Sequence, residues 1–402
     1  MDVQIKKGRA RGTVQAPPSK SMAHRLLLCA GLADGVSTVR NVAFSEDILA
    51  TIDVLRALGA AVTLDGDTVT VTGAEPRRAR CEAVIPCRES GSTLRFCIPL
   101  LLLSGETFTV SGKGRLMQRP QGVYAELCRS QGLLFRQADD TITLRGALRA
   151  GSFVLPGDVS SQFVSGLLFA LPLLPEDSEL RILPPVESRS YIDMTLQALG
   201  AFGVEARWGP GEEPALHIPG GQRYAPCDTV VEGDYSNAAF FGALAALGDD
   251  VTVAGLQPSL QGDRVYGAYF AQLRRGRAVL DVTDCPDLAP VLMAAAAGLH
   301  GATLTGTRRL RIKESDRGAV MAQELKKLGA RCAQEENSIE IFPGLHAPEV
   351  PLCGHNDHRI VMACAVALTR TGGVISGAEA VTKSFPDFFD RLRDLGIEVT
   401  DR

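Results

Sequence analysis

Short apolar strands alternate with two kinds of helix along the whole chain. One kind is rich in small and apolar residues and follows a turn of Gly, Pro, Ser or Asp, whereas the other is amphipathic and ends in Leu-Gly or an equivalent pair before a strand or hairpin. The strand, turn and apolar helix recur at residues 13–32, 83–103, 152–174, 229–247, 279–298 and 350–369. The amphipathic helix and its strands recur at 52–72, 123–144, 192–218, 321–342 and 388–400, with a weaker copy at 268–282.

Most copies recur about every 70 residues, which predicts an α/β protein of six similar units arranged as three plus three. The fourth copy is shortened. A loop with Pro219, Gly220, Gly221 and Pro226 interrupts the pattern near the middle of the chain. We therefore predict an N-terminal three-repeat domain over residues 17–228 and a C-terminal three-repeat domain formed by 1–16 and 229–402.

Composition narrows the class of protein. A chain of 402 residues suits two domains, and 45% hydrophobic with 22% charged residues is typical of a globular protein. A formal net charge of -4 argues against nucleic-acid binding, because phosphate-backbone affinity usually needs a basic face. Ten cysteines without a CxxC pair indicate reduced thiols, and neither a signal peptide nor an apolar run of membrane-spanning length is visible. We expect a cytoplasmic monomer that binds small molecules, not nucleic acid or membranes.

Small hydroxyl residues stand at the predicted starts of the first three apolar helices. These turns are Pro18-Ser19-Lys20-Ser21, Glu89-Ser90-Gly91-Ser92-Thr93 and residues 157–162, which read Gly-Asp-Val-Ser-Ser-Gln. Free backbone N–H groups and the helix dipole favour anions at such positions. Ser21 and Arg25 are four residues apart and share a helical face, with Lys20 beside the helix start. This cluster can hold a phosphate or carboxylate, although a capping serine with two solvated cations would look similar.

Ionisable residues are densest at residues 311–317, Arg-Ile-Lys-Glu-Ser-Asp-Arg. We expect Lys313 and Arg317 to share a helical face with Glu314 beside them, although a salt-bridged helix start would have the same sequence. A carboxylic acid among anion-binding cations can donate or accept a proton. Asp287 precedes an alanine-rich helix and could be a simple N-cap.

Another polar helix entrance, Asn356-Asp357-His358-Arg359, favours Arg359 as an anion ligand. His355 and His358 lack carboxylates at metal-ligand spacing, so we predict neither a metal nor any other cofactor.

Taken in order, these segments closely resemble the 5-enolpyruvylshikimate-3-phosphate synthase family, from Pro18-Ser19-Lys20-Ser21 to Lys383-Ser384-Phe385-Pro386-Asp387. The resemblance implies two inside-out α/β domains, each of three βαβαββ repeats, with an interdomain active-site cleft. It also implies transfer of the enolpyruvyl group of phosphoenolpyruvate to the 5-hydroxyl of shikimate 3-phosphate through a tetrahedral intermediate, in aromatic amino acid and chorismate biosynthesis. Members of such a family would be glyphosate targets.

The resemblance further implies the residues of the site. Those expected around shikimate 3-phosphate are Lys20, Ser21, Arg25, Ser160, Ser161, Gln162, Ser188, Tyr191, Asp287 and Lys313. Those expected around phosphoenolpyruvate are Lys20, Gly91, Arg119, Gln162, Arg317, Arg359 and Lys383. Asp287 would be the base toward the 5-hydroxyl and Glu314 the acid and base at C3, with Lys20 assisting either proton transfer.

Three positions depart from the family pattern, namely His24, Glu89 and Arg309, where Asn is usual. Two alternative functions stay open at this point. One is the sister reaction on UDP-N-acetylglucosamine, whose enzymes normally have Lys-Asn near the N-terminus and a cysteine in a mobile loop. Here Ser21 follows Lys20, and the loop leading to Arg119 has no cysteine. The other is a non-catalytic anion-binding relative, against which the presence of both Asp287 and Glu314 argues.

Overall fold

The computed structural model describes all residues from 1 to 402, and the chain forms two compact units. The N-terminal unit comprises Pro18–Glu232, and the C-terminal unit comprises Met1–Pro17 together with Gly233–Arg402. The predicted boundaries lie slightly earlier in the chain than these.

Twelve α-helices and twenty-two strands make up the two units. The helices are α1 (Lys20–Leu32), α2 (Glu46–Ala57), α3 (Gly91–Leu101), α4 (Gly122–Gln131), α5 (Ser161–Ala170), α6 (Arg189–Ala201), α7 (Tyr235–Ala246), α8 (Tyr266–Arg275), α9 (Ala289–Gly298), α10 (Arg317–Lys327), α11 (His358–Thr371) and α12 (Phe388–Asp394). The strands are β1 (Asp2–Ile5), β2 (Arg11–Gln15), β3 (Val36–Arg40), β4 (Ala61–Asp65), β5 (Thr68–Thr72), β6 (Ile85–Pro86), β7 (Thr107–Ser111), β8 (Leu134–Ala138), β9 (Thr141–Arg145), β10 (Ser152–Pro156), β11 (Ser178–Leu183), β12 (Arg207–Trp208), β13 (Ala215–Ile218), β14 (Asp228–Val230), β15 (Asp250–Ala254), β16 (Ala278–Asp281), β17 (Ala302–Thr305), β18 (Arg331–Gln334), β19 (Ser338–Phe342), β20 (Leu352–Cys353), β21 (Gly373–Ser376) and β22 (Val399–Asp401).

Five four-stranded sheets share one topology. In the second repeat the chain runs β6, α3, β7, α4, β8, β9, and the strand order is β6-β7-β9-β8. The first two strands are parallel because an apolar helix connects them, and the last two form an antiparallel hairpin. The same order holds for β10-β11-β13-β12 and β16-β17-β19-β18. The prediction of an α/β fold of repeated βαβαββ units is confirmed, and the two-stranded sheet of β2 and β15 corresponds to the shortened copy.

The chain passes between the two units twice, after Pro17 and after Glu232, and the strand before each crossing stays in the unit that the chain is leaving. β14 pairs with β3 through Thr229 and Val39, so it joins the N-terminal unit, whereas β2 pairs with β15 through Val14 and Val253 and joins the C-terminal unit. The predicted strand-turn-helix segments 13–32 and 229–247 are therefore each divided between two units. The predicted boundary after residue 16 already divides the first segment in this way. The sequence did not predict that β14 belongs to the N-terminal unit, because its pairing with the distant β3 decides this.

Apolar helices form the core of each unit, while the sheets carry exposed positions. Residues 289–297 of α9 are nearly all inaccessible to solvent, whereas Val279 on β16 is 69% exposed. Small residues allow these helices to approach closely, since a Cβ added to Gly166 on α5 would lie 2.3 Å from the carbonyl oxygen of Arg95 on α3. None of the helices combines the length and apolar character needed to span a bilayer.

Candidate active-site residues

Serine hydroxyls cap three helix starts in the N-terminal unit. Ser19 accepts a hydrogen bond from the amide of Met22 at 3.3 Å, and Ser90 accepts one from the amide of Thr93 at 3.2 Å. Ser160 accepts from the amide of Gln162 at 3.3 Å. Each cap satisfies only one of the N–H groups at a helix start, and the helix dipole keeps that end electropositive. These starts are therefore suited to anionic ligands.

Lys20 forms an ion pair with Asp47 at the start of α2. The Nζ to Oδ2 distance is 2.7 Å, and the two side chains are 15% and 12% exposed. Ser45 caps α2, which places Asp47 in its first turn. We did not predict Asp47 from the sequence, although its place behind a capping serine was a local signal that this acid opens a helix.

Arg25 ties α1 to α6. Its Nε donates to the hydroxyl of Thr195 at 2.9 Å, and its two terminal nitrogens donate to the carbonyls of Ser21 at 2.6 Å and Tyr191 at 2.8 Å. Burial lowers the pKa of Arg25 to about 10, which leaves it charged at neutral pH. Arg25 thus brings together the two predicted ligands Ser21 and Tyr191. Ser188, another predicted ligand, precedes α6 with a left-handed φ of 57°.

Gly91 lies against the guanidinium of Arg119, since a Cβ added to Gly91 would be 2.4 Å from an Arg119 terminal nitrogen. Arg95 links this pair to the start of α5. It donates to the side-chain oxygen of Gln162 at 2.8 Å and to the carbonyl of Pro120 at 2.9 Å. The structure therefore brings three predicted ligands together, namely Gly91, Arg119 and Gln162. We did not predict Arg95 as a site residue, although its place inside the apolar helix α3 was a visible signal.

His24, which departs from the family pattern, connects three helices. Its Nδ1 lies 2.7 Å from the hydroxyl of Thr51, which lies 2.7 Å from that of Thr93. The Thr93 hydroxyl donates to Ser90 at 2.8 Å. Burial, with help from the nearby cations Lys20 and Arg25, lowers the pKa of His24 well below its ordinary value. A neutral His24 therefore supports the capped start of α3.

Arg317 is the centre of the ionisable cluster in the C-terminal unit. Its Nε contacts Asp357 at 2.9 Å, and its terminal nitrogens contact Asp287 and Glu314 at 2.7 Å each. The Arg317 side chain is only 2% exposed. Burial by itself would lower the pKa of Arg317, but Asp357, Glu314 and Asp287 raise it above its ordinary value. One guanidinium thus orients three carboxylates.

Asp287 is held by three cations. Its carboxylate oxygens lie 2.7 Å from Arg317, 3.0 Å from Arg359 and 3.3 Å from Lys313. Burial alone would raise the pKa of Asp287, but Arg359, Lys313 and Arg317 outweigh it and hold the pKa well below its ordinary value. Burial and the neighbouring Arg317 lower the pKa of Lys313 to about 8, although Asp287 opposes the shift.

Two local predictions about this cluster are wrong. Lys313 and Arg317 do not share a helical face, because α10 begins only at Arg317, where the carboxylate of Asp316 caps the amide of Ala319 at 3.1 Å. Asp287 makes no capping bond, since it lies in a 3-10 turn, Pro286–Leu288, ahead of α9. Tertiary contacts, not helix periodicity, bring these side chains together.

The turn before α11 adds Asp357, Arg359 and Lys383. Asp357 caps α11 by accepting from the amide of Arg359 at 3.0 Å, and it also accepts from the Ser315 hydroxyl at 2.9 Å. Lys383 donates to the carbonyl of Asn356 at 2.7 Å. We did not predict Asp357 as a site residue, although its place at a polar helix entrance was visible. No group of three or more His, Cys, Asp and Glu side chains able to hold a metal ion is found.

The remaining predicted ligand, Ser161, opens α5 and belongs to the N-terminal unit with Lys20 and Gln162. Each unit therefore holds its own cluster. The N-terminal cluster combines capped helix starts with the cations Lys20, Arg25 and Arg119. The C-terminal cluster consists of acids among cations.

The fold combines six repeated units with serine-capped helix starts and with acids held among cations. This combination is typical of the enolpyruvyl transferases. The family model described as EPSP synthase (3-phosphoshikimate 1-carboxyvinyltransferase) matches residues 5–392. A 3-phosphoshikimate 1-carboxyvinyltransferase of Clostridium kluyveri is 39% identical, with 99% of this chain and 98% of the relative covered. The enzyme of that name from Clostridium botulinum is 38% identical, with 98% and 97% covered.

Two solved structures share the fold. An EPSP synthase from Acinetobacter baumannii has a TM-score of 0.79 at 24% identity, with both chains fully covered at 100%. The enolpyruvyl transferase NikO from Streptomyces tendae has a TM-score of 0.74 at 16% identity, with 99% of this chain and 98% of the other covered.

The chain belongs to the EPSP synthase family. It is an enzyme that transfers the enolpyruvyl group of phosphoenolpyruvate to the 5-hydroxyl of shikimate 3-phosphate and releases phosphate, a step of aromatic biosynthesis. The predicted family, fold class and reaction are therefore confirmed. Neither alternative, transfer to UDP-N-acetylglucosamine or anion binding without catalysis, is favoured.

Proposed function

We propose that Asp287 and Glu314 carry the proton transfers of this reaction. The observation behind the proposal is that both carboxylates contact the same buried guanidinium, that of Arg317, at 2.7 Å. A buried cation can stabilise the negative charge of phosphoenolpyruvate. The same cation can hold the two acids in fixed positions for proton transfer. We assign Asp287 to the 5-hydroxyl of shikimate 3-phosphate and Glu314 to C3 of phosphoenolpyruvate.

Asp287 is a weak base while it is surrounded by cations, because they hold its pKa well below the ordinary value. The substrates bring two phosphates and two carboxylates. When these anions bind Arg359, Lys313 and Arg317, they compete with Asp287 for the same N–H groups. The pKa of Asp287 then rises, because burial favours the neutral acid once the cations are partly neutralised. Substrate binding thus converts an ion-paired carboxylate into a base.

The proton transfers balance over two steps. Glu314 must take up a proton once the substrate anions engage Arg317, because its ion pair is then weakened. In the addition, the 5-hydroxyl oxygen bonds to C2 of phosphoenolpyruvate, its proton passes to Asp287, and C3 receives the proton from the Glu314 carboxyl group. In the elimination, the Glu314 carboxylate takes a proton from C3, the C2–C3 double bond re-forms, and the C–O bond to phosphate breaks. The proton held by Asp287 leaves with the phosphate. Lys20 assists by stabilising charge on the phosphate as it departs.

We assign the substrates to the two sets of side chains as follows. Shikimate 3-phosphate binds Lys20, Ser21, Arg25, Ser160, Ser161, Gln162, Ser188, Tyr191, Asp287 and Lys313. Phosphoenolpyruvate binds Lys20, Gly91, Arg119, Gln162, Arg317, Arg359 and Lys383. The serine caps of the N-terminal unit and the buried cations of the C-terminal unit support this assignment. The assignment draws on residues of both units.

The test is release of phosphate from phosphoenolpyruvate in the presence and absence of shikimate 3-phosphate. We expect Asp287→Asn and Glu314→Gln to lower kcat by about 10²–10⁴-fold, while both substrates still bind, because general acid-base catalysis contributes about that much. Asp390→Asn is the matched control, since Asp390 is an exposed partner of Arg393. Full turnover by either Asp287→Asn or Glu314→Gln would remove that residue from the mechanism.

We also propose that the enzyme works as a monomer in the cytoplasm, without nucleic acid as a partner. Its net charge of -4 argues against nucleic-acid binding, and its ten free cysteines suit the reducing conditions of the cytoplasm. Sedimentation equilibrium at several protein concentrations should give the mass of one chain. A mass that rises with concentration would contradict the monomer.

A further inference from the structure

Two consecutive left-handed residues form the turn before α11. His355 has φ 49° and Asn356 has φ 54°, and neither is a glycine. The turn has little room, because a Cβ added to Gly354 would lie 2.6 Å from Val361 and 2.7 Å from the carbonyl of Gly377. Asn and His adopt this conformation more readily than most residues with a Cβ, but two such residues in succession still cost free energy that tertiary contacts must offset. The contacts of the turn should therefore identify what holds it.

Glu324 on α10 is the buried anchor of this turn. Its carboxylate, with no exposed surface, lies 2.7 Å from the Nε2 of His355 and accepts from the Cys353 amide at 2.9 Å. Lys327 donates to the two Glu324 carboxylate oxygens at 2.8 and 3.1 Å, so the charge of Glu324 is compensated. A buried carboxylate with this many donors fixes the position of the backbone that supplies them.

Two residues of α10, Arg317 and Glu324, contact the turn before α11. Arg317 and Glu324 are seven residues apart, which is two helical turns, so they lie on the same face of α10. Arg317 binds Asp357, and Glu324 binds His355. The two residues on either side of Asn356 are thus held by one helix, which leaves the Asn356 carbonyl little freedom.

That carbonyl accepts the hydrogen bond from Lys383 at 2.7 Å. Lys383 is buried, and under the assignment above it binds phosphoenolpyruvate. We infer that the Glu324–His355 contact is a positioning device for phosphoenolpyruvate binding, because it holds the left-handed turn whose Asn356 carbonyl aims Lys383. Neither Glu324 nor His355 touches substrate on this inference, which rests on the proposed role of Lys383.

The discriminating variant is His355→Gly. Glycine adopts the left-handed conformation freely, so this change removes the contact with Glu324 and keeps the backbone preference. We expect KM for phosphoenolpyruvate to rise about tenfold, since misplacement of a binding group by about 1 Å can cost that much or more. KM for shikimate 3-phosphate should change less than about twofold, because Lys383 is assigned to phosphoenolpyruvate and not to shikimate 3-phosphate. Glu324→Gln should shift the same constant in the same direction.

A double-mutant cycle with Lys383→Met tests whether His355 acts through Lys383. In the Lys383→Met background, His355→Gly should add less than about a twofold effect, because the group that it positions is gone. His300→Gly is the matched control, since His300 is an exposed histidine in the turn after α9, and it should leave both KM values unchanged. Thermal midpoints of all variants separate loss of folding from loss of positioning.

Each outcome bears on one claim. Unchanged KM for phosphoenolpyruvate in Lys383→Met would overturn the proposed binding role of Lys383 itself. A raised KM in Lys383→Met with unchanged values in both His355→Gly and Glu324→Gln would overturn the positioning inference alone. Independent effects in the cycle, or equal rises in both KM values, would also overturn it, because they indicate a general structural role.

Discussion

The N-terminal cluster and the C-terminal cluster differ in the groups that they offer to anionic ligands and in the burial of those groups. The N-terminal cluster presents capped helix starts and the Lys20–Asp47 pair, whose side chains keep some exposure. The C-terminal cluster has Arg317 and Asp357 almost wholly buried, and its charges compensate one another before any ligand arrives. The first consists of capped helix starts, whose N–H dipoles carry no net charge that another group must compensate. In the second, a ligand anion must compete with Asp287, Glu314 and Asp357 for the cations that they already contact.

On the proposed mechanism, this difference gives the two units different tasks. Neutral hydroxyls and backbone N–H groups bind a phosphate without changing their own protonation. The pKa of an acid held by cations rises when those cations form ion pairs with a substrate instead. The serine-capped helix starts are thus suited to recognition and the buried ion cluster to proton transfer.

Breaking the C-terminal cluster should have the largest effect. Arg317→Met leaves Asp287, Glu314 and the buried Asp357 without their shared cation. We expect kcat/KM to fall by at least about 10²–10³-fold. The free energy of unfolding should fall by about 3–5 kcal/mol, since a buried charge loses its partner. Steady-state kinetics and urea denaturation measure the two effects.

Lys20→Met provides the comparison in the N-terminal cluster. Its partner Asp47 keeps some contact with water, so the loss of stability should be smaller, about 1–2 kcal/mol. Arg391→Met, which removes an exposed pair with Asp387, is the control and should cost less than about 1 kcal/mol. Equal losses in Arg317→Met and Lys20→Met would show that the two clusters do not differ as described.

A smaller effect is expected from Gly91→Ala at the start of α3. The new methyl group would lie 2.4 Å from the Arg119 guanidinium, which must move. KM for phosphoenolpyruvate should rise about tenfold while the fold stays intact. Gly122→Ala is a matched control, because Gly122 also opens a helix and a Cβ there meets nothing within 4 Å. An unchanged KM in Gly91→Ala would separate Arg119 from phosphoenolpyruvate binding.

The smallest effect concerns pH. Lys313 has a pKa of about 8 without ligand, below its ordinary 10.5, so it loses its charge above pH 8. The phosphate of shikimate 3-phosphate favours charged Lys313, so binding should take up a proton there and the Kd should rise with pH. Calorimetry at pH 8.5 in two buffers of different ionisation enthalpy measures this uptake. It should disappear in Lys313→Met, and persistence in that variant would assign the proton to another group.

Local sequence predicted part of the site and missed another part for identifiable reasons. The caps Ser19, Ser90 and Ser160 depend on side chain and backbone only a few residues apart, so the sequence pattern shows them directly. Asp47 and Arg95 act on residues far away in the chain, on Lys20 and on Gln162. The periodicity of a single helix or strand cannot predict contacts between residues so far apart in the chain.

By itself, the sequence determined the repeat of strands and helices, the apolar character of the core helices and the hydroxyl residues at their starts. These follow from spacing and side-chain chemistry within each segment. The tertiary structure alone decided that β14 joins β3, that β2 joins β15, and that α10 begins at Arg317. It also decided that Asp287 meets Arg317, Arg359 and Lys313, because strand pairing and helix packing bring together residues that the chain keeps apart.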